Sequence, residues 1–257
     1  MSRDRPRPAP SPAGLPRFHG EEAAPGARVE LPEHTAHHAR EVLRLRPGAP
    51  VRVFDGRGAE FEAVLDEVSR RRVSARLAGP VAPRPESPLE LVLALSPLKG
   101  DRMELVLQKV TELGVTEIRP VVTIRTDAAA RPALHGTRDE RWHRVVAGAA
   151  EQCGRAVVPR VAPAEVLPAL LARPFDGLRV ALLETPGHPP LTALRPPSGS
   201  PLLLLVGPAG GFEPSEIAAL EEAGFLPASL GPRILRAETA AISTIAIAEA
   251  LWGDLGR

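Results

Sequence analysis

Tyrosine is absent from this 257-residue chain, and Phe and Trp together leave aromatic side chains at only 3%. Widespread stacking of bases on aromatic platforms is therefore excluded as a way of holding a nucleic acid. Cysteine occurs once, at Cys153, which rules out an internal disulfide and fits a reducing, cytoplasmic setting. No base is implied beside that thiol, so a packed, inert side chain is the preferred reading. No run of residues approaches the roughly 20 apolar positions that a membrane span needs. Residues 1–16, built of Arg, Pro, Ala and Ser without an apolar segment, lack the pattern of a secretory leader and read as a disordered tail. Neither a Gly-Lys-Ser/Thr phosphate loop nor a Gly-x-Gly-x-x-Gly opening is present, which disfavours an ATPase or a dehydrogenase. His34, His37 and His38 stand close together but have no Cys or acidic companions, so no metal site is expected.

Charge is nearly balanced at +1, yet it is unevenly spread. Residues 1–85 hold 15 Arg against 11 acidic residues, and residues 86–257 hold 17 basic against 20 acidic ones. The basic excess near the start is compatible with contact to RNA phosphates without requiring it. Lysine appears only at Lys99 and Lys109.

From Val51 to Leu77 apolar residues alternate at Val51, Val53, Phe61, Ala63, Leu65, Val73, Ala75 and Leu77, separated by Asp55-Gly56-Arg57-Gly58 and Ser69-Arg70-Arg71-Arg72. Period two with such turns predicts antiparallel hairpins, which close most economically into a small barrel. Ahead of them, Pro32 to Leu45 reads as a helix with Ala36, Ala39 and Leu43 toward a core and His37, Arg40 and Arg44 on another face. That face suits phosphates or is simply a solvated, charged surface. The proline-rich stretch from Gly79 to Pro88 reads as a stiff linker. Beyond it, strand and helix patterns alternate: Leu89 to Leu95, a helix to Leu113, Ile118 to Ile124, a helix around Trp142, Val180 to Leu183 and Leu202 to Val206. Such alternation predicts an α/β unit with a parallel sheet. Asp101 with Glu104, and Thr137 with Glu140, are candidate caps for its helices.

The most informative segments lie last. The strand Leu202 to Val206 has no polar alternation, so both its faces must be covered, and it runs into Gly207-Pro208-Ala209-Gly210-Gly211-Phe212. Glycines at the carboxyl end of a central parallel strand let backbone approach a ligand, although the same loop could be no more than a turn into a helix opened by Pro214. A second loop, Leu230 to Ala240, leads into a helix from Ala240 to Trp252 that is apolar nearly all round and is therefore expected to be buried.

Taken together, these loops, Arg17-Phe18, His37 to Leu45, Lys99 with Asp101 to Glu104, Gln108-Lys109 with Glu112 to Val115, and Glu151 to Arg155 resemble the RsmE family. Its members are knotted, SPOUT-class methyltransferases of ring nitrogen 3 of a uridine in small-subunit (16S) ribosomal RNA. The resemblance runs from about residue 17 onward. It implies a PUA-like β-barrel over residues 17–80, a linker over 81–88, and a SPOUT α/β domain with a C-terminal trefoil knot over 89–257. It also implies S-adenosylmethionine as cofactor without a metal, a homodimer, and ribosomal RNA as partner, with no membrane and no DNA. The implied cofactor contacts are Leu183, Glu184, Val206, Gly207, Gly211, Leu230, Gly231, Ile234 and Leu235. Arg236 and Glu238 are the implied catalytic residues; the alternative for Glu238 is a plain helix cap. Arg17, Arg40, Arg44, Lys99, Arg102 and Arg155 are the implied RNA contacts. The family usually carries Glu where this chain has Ala209, which puts that carboxylate's role in doubt. Methylation of another RNA position, such as a ribose hydroxyl, and a non-catalytic role in ribosome assembly are the alternatives.

Overall fold

Residues 14–20, 24–136, 139–196 and 199–256 are described by a computed structural model, and they fall into two units. The first runs to Arg84 and includes Gly154–Val157; the second comprises Pro85–Cys153 and the chain from Val158 onward. The polypeptide therefore leaves the second unit and re-enters it, whereas sequence alone suggested a single boundary in the linker.

In the first unit, the alternating residues form β1 (Arg17–His19), β2 (Arg28–Glu30), β3 (Pro50–Phe54), β4 (Glu60–Val68) and β5 (Val73–Val81). They pair as one five-stranded sheet in the order β1-β3-β4-β5-β2. The inward residues Val51, Val53, Phe61, Ala63, Leu65, Val73, Ala75 and Leu77 are all buried and share one core with Phe18, Val29 and Leu31. Burial of each Leu or Val there contributes about 1.5–3 kcal/mol. Among the described residues β1 and β2 do not pair with each other, so the expected closed barrel is realised as a curled sheet with two free ladder ends. β5 continues through Pro80 into the stretch read as linker, because β2 covers only Ser74–Arg76 and leaves the far end of β5 an edge, where a missing N–H is harmless.

The helix expected over Pro32 to Leu45 is shorter and interrupted. α1 (Glu33–His37) passes into a π turn, His38–Val42, in which the Leu43 N–H donates to His38 O at 3.0 Å. The wider turn rotates everything after Ala39 off its helical face. Ala36 and Ala39 are buried as expected, but Leu43 is 39% exposed, and Arg44 sits at φ 52°, a conformation a non-glycine residue rarely adopts. Arg40 and Arg44 consequently share no helical face.

The second unit is a seven-stranded sheet whose pairings are all parallel. Its strands are β6 (Leu91–Leu95), β7 (Glu117–Val122), β8 (Arg160–Val161), β9 (Glu165–Val166), β10 (Leu178–Leu182), β11 (Leu202–Val206) and β12 (Leu226–Ala228). The order is β12-β10-β11-β6-β7-β8, with β9 also pairing to β7. Every residue of β6 and β11 is buried, as strands without polar alternation require. One face packs Leu93, Leu95 and Leu204 against α2 (Asp101–Glu112), α3 (Asp139–Cys153) and α6 (Ala237–Trp252). The other packs Val92, Ala94 and Leu205 against α4 (Leu167–Ala172) and α5 (Pro214–Glu222).

Helix ends differ in part from expectation. Pro214 opens α5, behind a reciprocal capping box made by Glu213 and Glu216. α2 starts after Gly100 with no side-chain cap; Asp101 points to solvent, and Glu104 instead pairs with Arg141 of α3. Thr137, the expected cap of α3, lies outside the described residues. α6 is not buried all round. Ala237, Ala241, Thr244, Ile245 and Ala248 face the core, while Ile242, Ala246 and Ile247 are half-buried and Leu251 is 46% exposed. The helix packs against α2, β6, β11 and the 3-10 turn Leu191–Ala193, and the side bearing Ile242, Ala246 and Leu251 is the less covered one.

Candidate functional site

The chain steps from β6 outward to β7 and β8, then returns to place β10, β11 and β12 on the opposite side of β6. At the carboxyl ends of β10, β11 and β12, on one side of β6, lies a cleft of about 750 Å³, counting the space open to solvent at its mouth. Leu182–Thr185 after β10, Val206–Ala209 with Gly211 and Phe212 after β11, and the segment from Leu230 to Ala240 line it.

Two glycines let this backbone come close. A Cβ on Gly207 would stand 2.7 Å from the Phe212 ring. Gly211 has φ 69°, and a Cβ there would meet Glu184 Oε1 at 2.6 Å. The lining is otherwise Leu, Val, Ile, Pro, Ala and Phe with Thr185, and Glu184 is its acidic and Arg233 its basic side chain. Such a cleft suits a ligand held by main-chain groups and apolar contact, with opposite charges on its polar parts.

Of the residues expected to contact a cofactor, Leu183, Glu184, Val206, Gly207, Gly211, Leu230, Gly231 and Leu235 line the cleft. Ile234 does not; it is 80% exposed. Arg233 lines the cleft instead. The chain bends at Pro232 and Arg233, so residue spacing in this loop gave no signal for which side chains turn inward. Ala209 also lines the cleft, so the carboxylate usual at that position would have stood in it.

Beside the cleft, Glu238 occupies the first turn of α6 with its side chain only 12% exposed. Its Oε2 is buried and has no hydrogen-bond partner, and Arg102 Nη1 of α2 lies 4.0 Å away. The N-cap residue of this helix, Arg236, makes no side-chain capping hydrogen bond, and Glu238 stands in the first turn, where an acidic side chain also complements the helix dipole. Arg236 holds the N-cap position and is exposed. Lys99 is exposed, and its carbonyl accepts from Arg102 Nε at 3.4 Å. The structure thus brings Arg102 to Glu238, an association that sequence spacing did not reveal.

The basic residues of the first unit are mostly committed within it. Arg17 donates to both carboxylate oxygens of buried Glu60 at 2.9 and 3.0 Å, to Arg155 O at 3.2 Å, and lies 4.8 Å over the Phe54 ring. Arg155 is itself buried. Arg40 donates to Glu41 at 2.8 Å and to Ser69 O at 3.1 Å, bracing the β4–β5 turn. That hydrogen bond and the positive charge of Arg40 hold the Glu41 carboxyl below its usual range, with further pull from His37 and Arg70. Arg44 is exposed. Among the described residues no cluster of His, Cys, Asp and Glu suited to a metal ion is present, and no helix is long and apolar enough to cross a membrane.

Residues 85–249 match the family model of an RNA methyltransferase domain, and residues 31–78 that of an RNA methyltransferase PUA domain. The chain is 35% identical over 227 residues to ribosomal RNA small subunit methyltransferase E of Synechocystis, covering 87% of this chain and 72% of that one. Against the Bacillus subtilis protein of the same name it is 34% identical, covering 85% and 90%. Among solved structures it is similar to a methyltransferase of Legionella pneumophila in complex with S-adenosylmethionine, with TM-score 0.86 and 35% identity over 94% of this chain and all of that one. The Neisseria gonorrhoeae ribosomal RNA small subunit methyltransferase E, bound to S-adenosylmethionine, superposes with TM-score 0.83 and 36% identity over 94% and 100% of the two chains.

Proposed function

Because the chain belongs to the ribosomal RNA small subunit methyltransferase E family, we propose that it methylates ring nitrogen 3 of a specific uridine in 16S ribosomal RNA, with S-adenosylmethionine as donor. The observation that carries this reading is the glycine-lined cleft at the ends of β10, β11 and β12, with buried Glu238 close by. The residues present suit the donor. Main chain at Val206, Gly207, Gly211 and Gly231 and the apolar side chains of Leu183, Leu230 and Leu235 would hold its nucleoside, while Glu184 and Arg233 offer opposite charges to its polar parts. Once bound, S-adenosylmethionine supplies a methyl group on a sulfonium centre whose sulfur departs as a neutral thioether.

The chain's own task is then the acceptor. The imide nitrogen of uracil keeps its proton at neutral pH and must give it up as the new bond forms. Glu238 is the group that orients or takes that proton; its Oε2 is buried, makes no hydrogen bond among the described residues, and has Arg102 Nη1 4.0 Å away. Arg236 stabilises the negative charge that spreads to the base oxygens. Arg44, Lys99 and Arg102, all exposed, contact RNA phosphates, whereas Arg17, Arg40 and Arg155 serve by ordering the first unit.

Three further features belong to the same reading. The C-terminal segment threads a trefoil knot, which accords with three successive chain segments converging on one cleft. Two copies associate, which accords with the less covered side of α6. The enzyme works in the cytoplasm, where its substrate is assembled.

Transfer of labelled methyl groups to ribosomal RNA from cells lacking the protein, followed by nucleoside mass analysis, tests the reaction. N3-methyluridine is the expected product. A ribose-methylated nucleoside would move the target, and absence of both transfer and calorimetric donor binding would leave an RNA-binding assembly protein.

A further inference from the structure

A loop that takes no part in lining the cleft nevertheless grips one that does. Residues 123–126, Thr-Ile-Arg-Thr, follow β7, whereas the glycine loop follows β11, and β6 lies between those strands. Arg125 spans the gap. Its Nη1 donates to Gly210 O at 2.8 Å and its Nε to Glu213 Oε1 at 2.8 Å, so one planar guanidinium holds both the turn of the glycine loop and the residue that caps α5.

The base from which Arg125 reaches is itself fixed. The hydroxyls of Thr126 and Ser96 lie 2.7 Å apart, and the Thr123 N–H donates to Thr126 Oγ1 at 2.8 Å. Ser96, Thr123 and Thr126 are all buried, so these bonds are made out of competition with water. Arg131 adds Nη2 to Ile124 O at 2.6 Å. Glu216, also buried, accepts from the Ile124 N–H at 2.8 Å and the Glu213 N–H at 3.0 Å. The Ser96 N–H donates to Val206 O at 3.1 Å. The contacts close a ring: Val206, Ser96, Thr126, Arg125, Gly210, and back along the glycine loop to Val206.

We propose that Arg125 is a positioning residue for the methyl donor, holding the glycine loop in its binding shape before the donor arrives. The inference rests on the reading of the cleft as the donor site. A loop containing Gly207, Gly210 and Gly211 has little stiffness of its own, and ordering it at the moment of binding would weaken affinity. The ring moves that ordering into folding. Arg125 is 44% exposed, so its ion pair adds little to global stability, and its effect is concentrated on the loop.

Calorimetric titration of the full chain with S-adenosylmethionine, paired with amide hydrogen exchange of the donor-free protein, tests this. For Arg125→Ala the donor dissociation constant is expected to rise roughly tenfold. The Gly211 amide, which donates to Pro208 O, should exchange faster without donor present, while the thermal midpoint stays nearly unchanged. Arg125→Lys, able to satisfy only one acceptor at a time, should recover part of both effects. In turnover, KM for the donor rises while kcat at saturating donor holds. Unchanged Gly211 exchange, or unchanged donor affinity where the parent chain binds, overturns the role of Arg125. Failure of the parent chain to bind donor at all sinks the cofactor reading instead, and the exchange result then judges the brace alone.

Discussion

Glu60 is 2% exposed and takes both of its short hydrogen bonds from Arg17, with Arg52 Nη1 a more distant 3.6 Å from Oε1. Arg17→Ala would leave that buried carboxylate with only the longer ion pair to Arg52 and is expected to cost about 3 kcal/mol in urea unfolding. An unfolding midpoint equal to the parent's, with only RNA affinity reduced, would return Arg17 to the phosphate contacts. At Glu238 the expected outcome is the reverse: Glu238→Gln keeps the shape, should lower kcat on the order of a hundredfold or more, and should leave donor affinity intact. A comparable drop in donor binding would make Glu238 part of the cleft wall. Gly207→Ala would drive a methyl group into the Phe212 ring, so calorimetry should show donor binding lost or sharply weakened. The cleft residues were legible through the family resemblance rather than through the loop alone, since glycines at a strand end serve a plain turn into a helix equally well. The fate of Arg17 and Arg40 was not legible, because the same guanidinium serves a phosphate or a distant carboxylate, and only folding brings Glu60, which lies 43 positions from Arg17 in the chain, to its side.

Among the elements, β6, β11 and the buried stripe of α2 were legible since their patterns leave one arrangement of covered faces. The π turn at His38–Val42 was not, because a single added residue in a turn is fixed by how Ala39 seats in its core rather than by local preference. Nor was the one-sided burial of α6 readable; an apolar residue pattern does not say whether the covering surface comes from the same chain. The C-terminal end of that helix is held through Glu249, which accepts from Ser87 Oγ at 2.7 Å and from the Asp254 N–H at 3.2 Å. Ser87→Ala should lower stability by about 1–3 kcal/mol in thermal unfolding, since one partner of a buried carboxylate is withdrawn. A change within the scatter of surface substitutions would mean that the helix end is secured elsewhere.

For the molecule as a whole, the proposed association of two copies would use the less covered side of α6, which carries Ile242 and Leu251. Sedimentation equilibrium should give twice the chain mass, and Ile242→Glu combined with Leu251→Glu should return it to the monomer value. A monomeric parent chain would remove the two-fold assembly from the proposal. The broad architecture, a small β unit ahead of a parallel α/β unit, followed from hydrophobic periodicity, but the path between them did not. Gly154–Val157 belongs to the first unit, where the Gly58 N–H donates to Ala156 O at 3.1 Å and Val157 bridges Gly56. The two modules are therefore interleaved in the gene rather than placed end to end. A fragment stopped at Arg84 would lack the strip that seals its own Gly56–Gly58 turn, so transplanting the small unit onto another catalyst, or excising it, demands a graft at two places and not one.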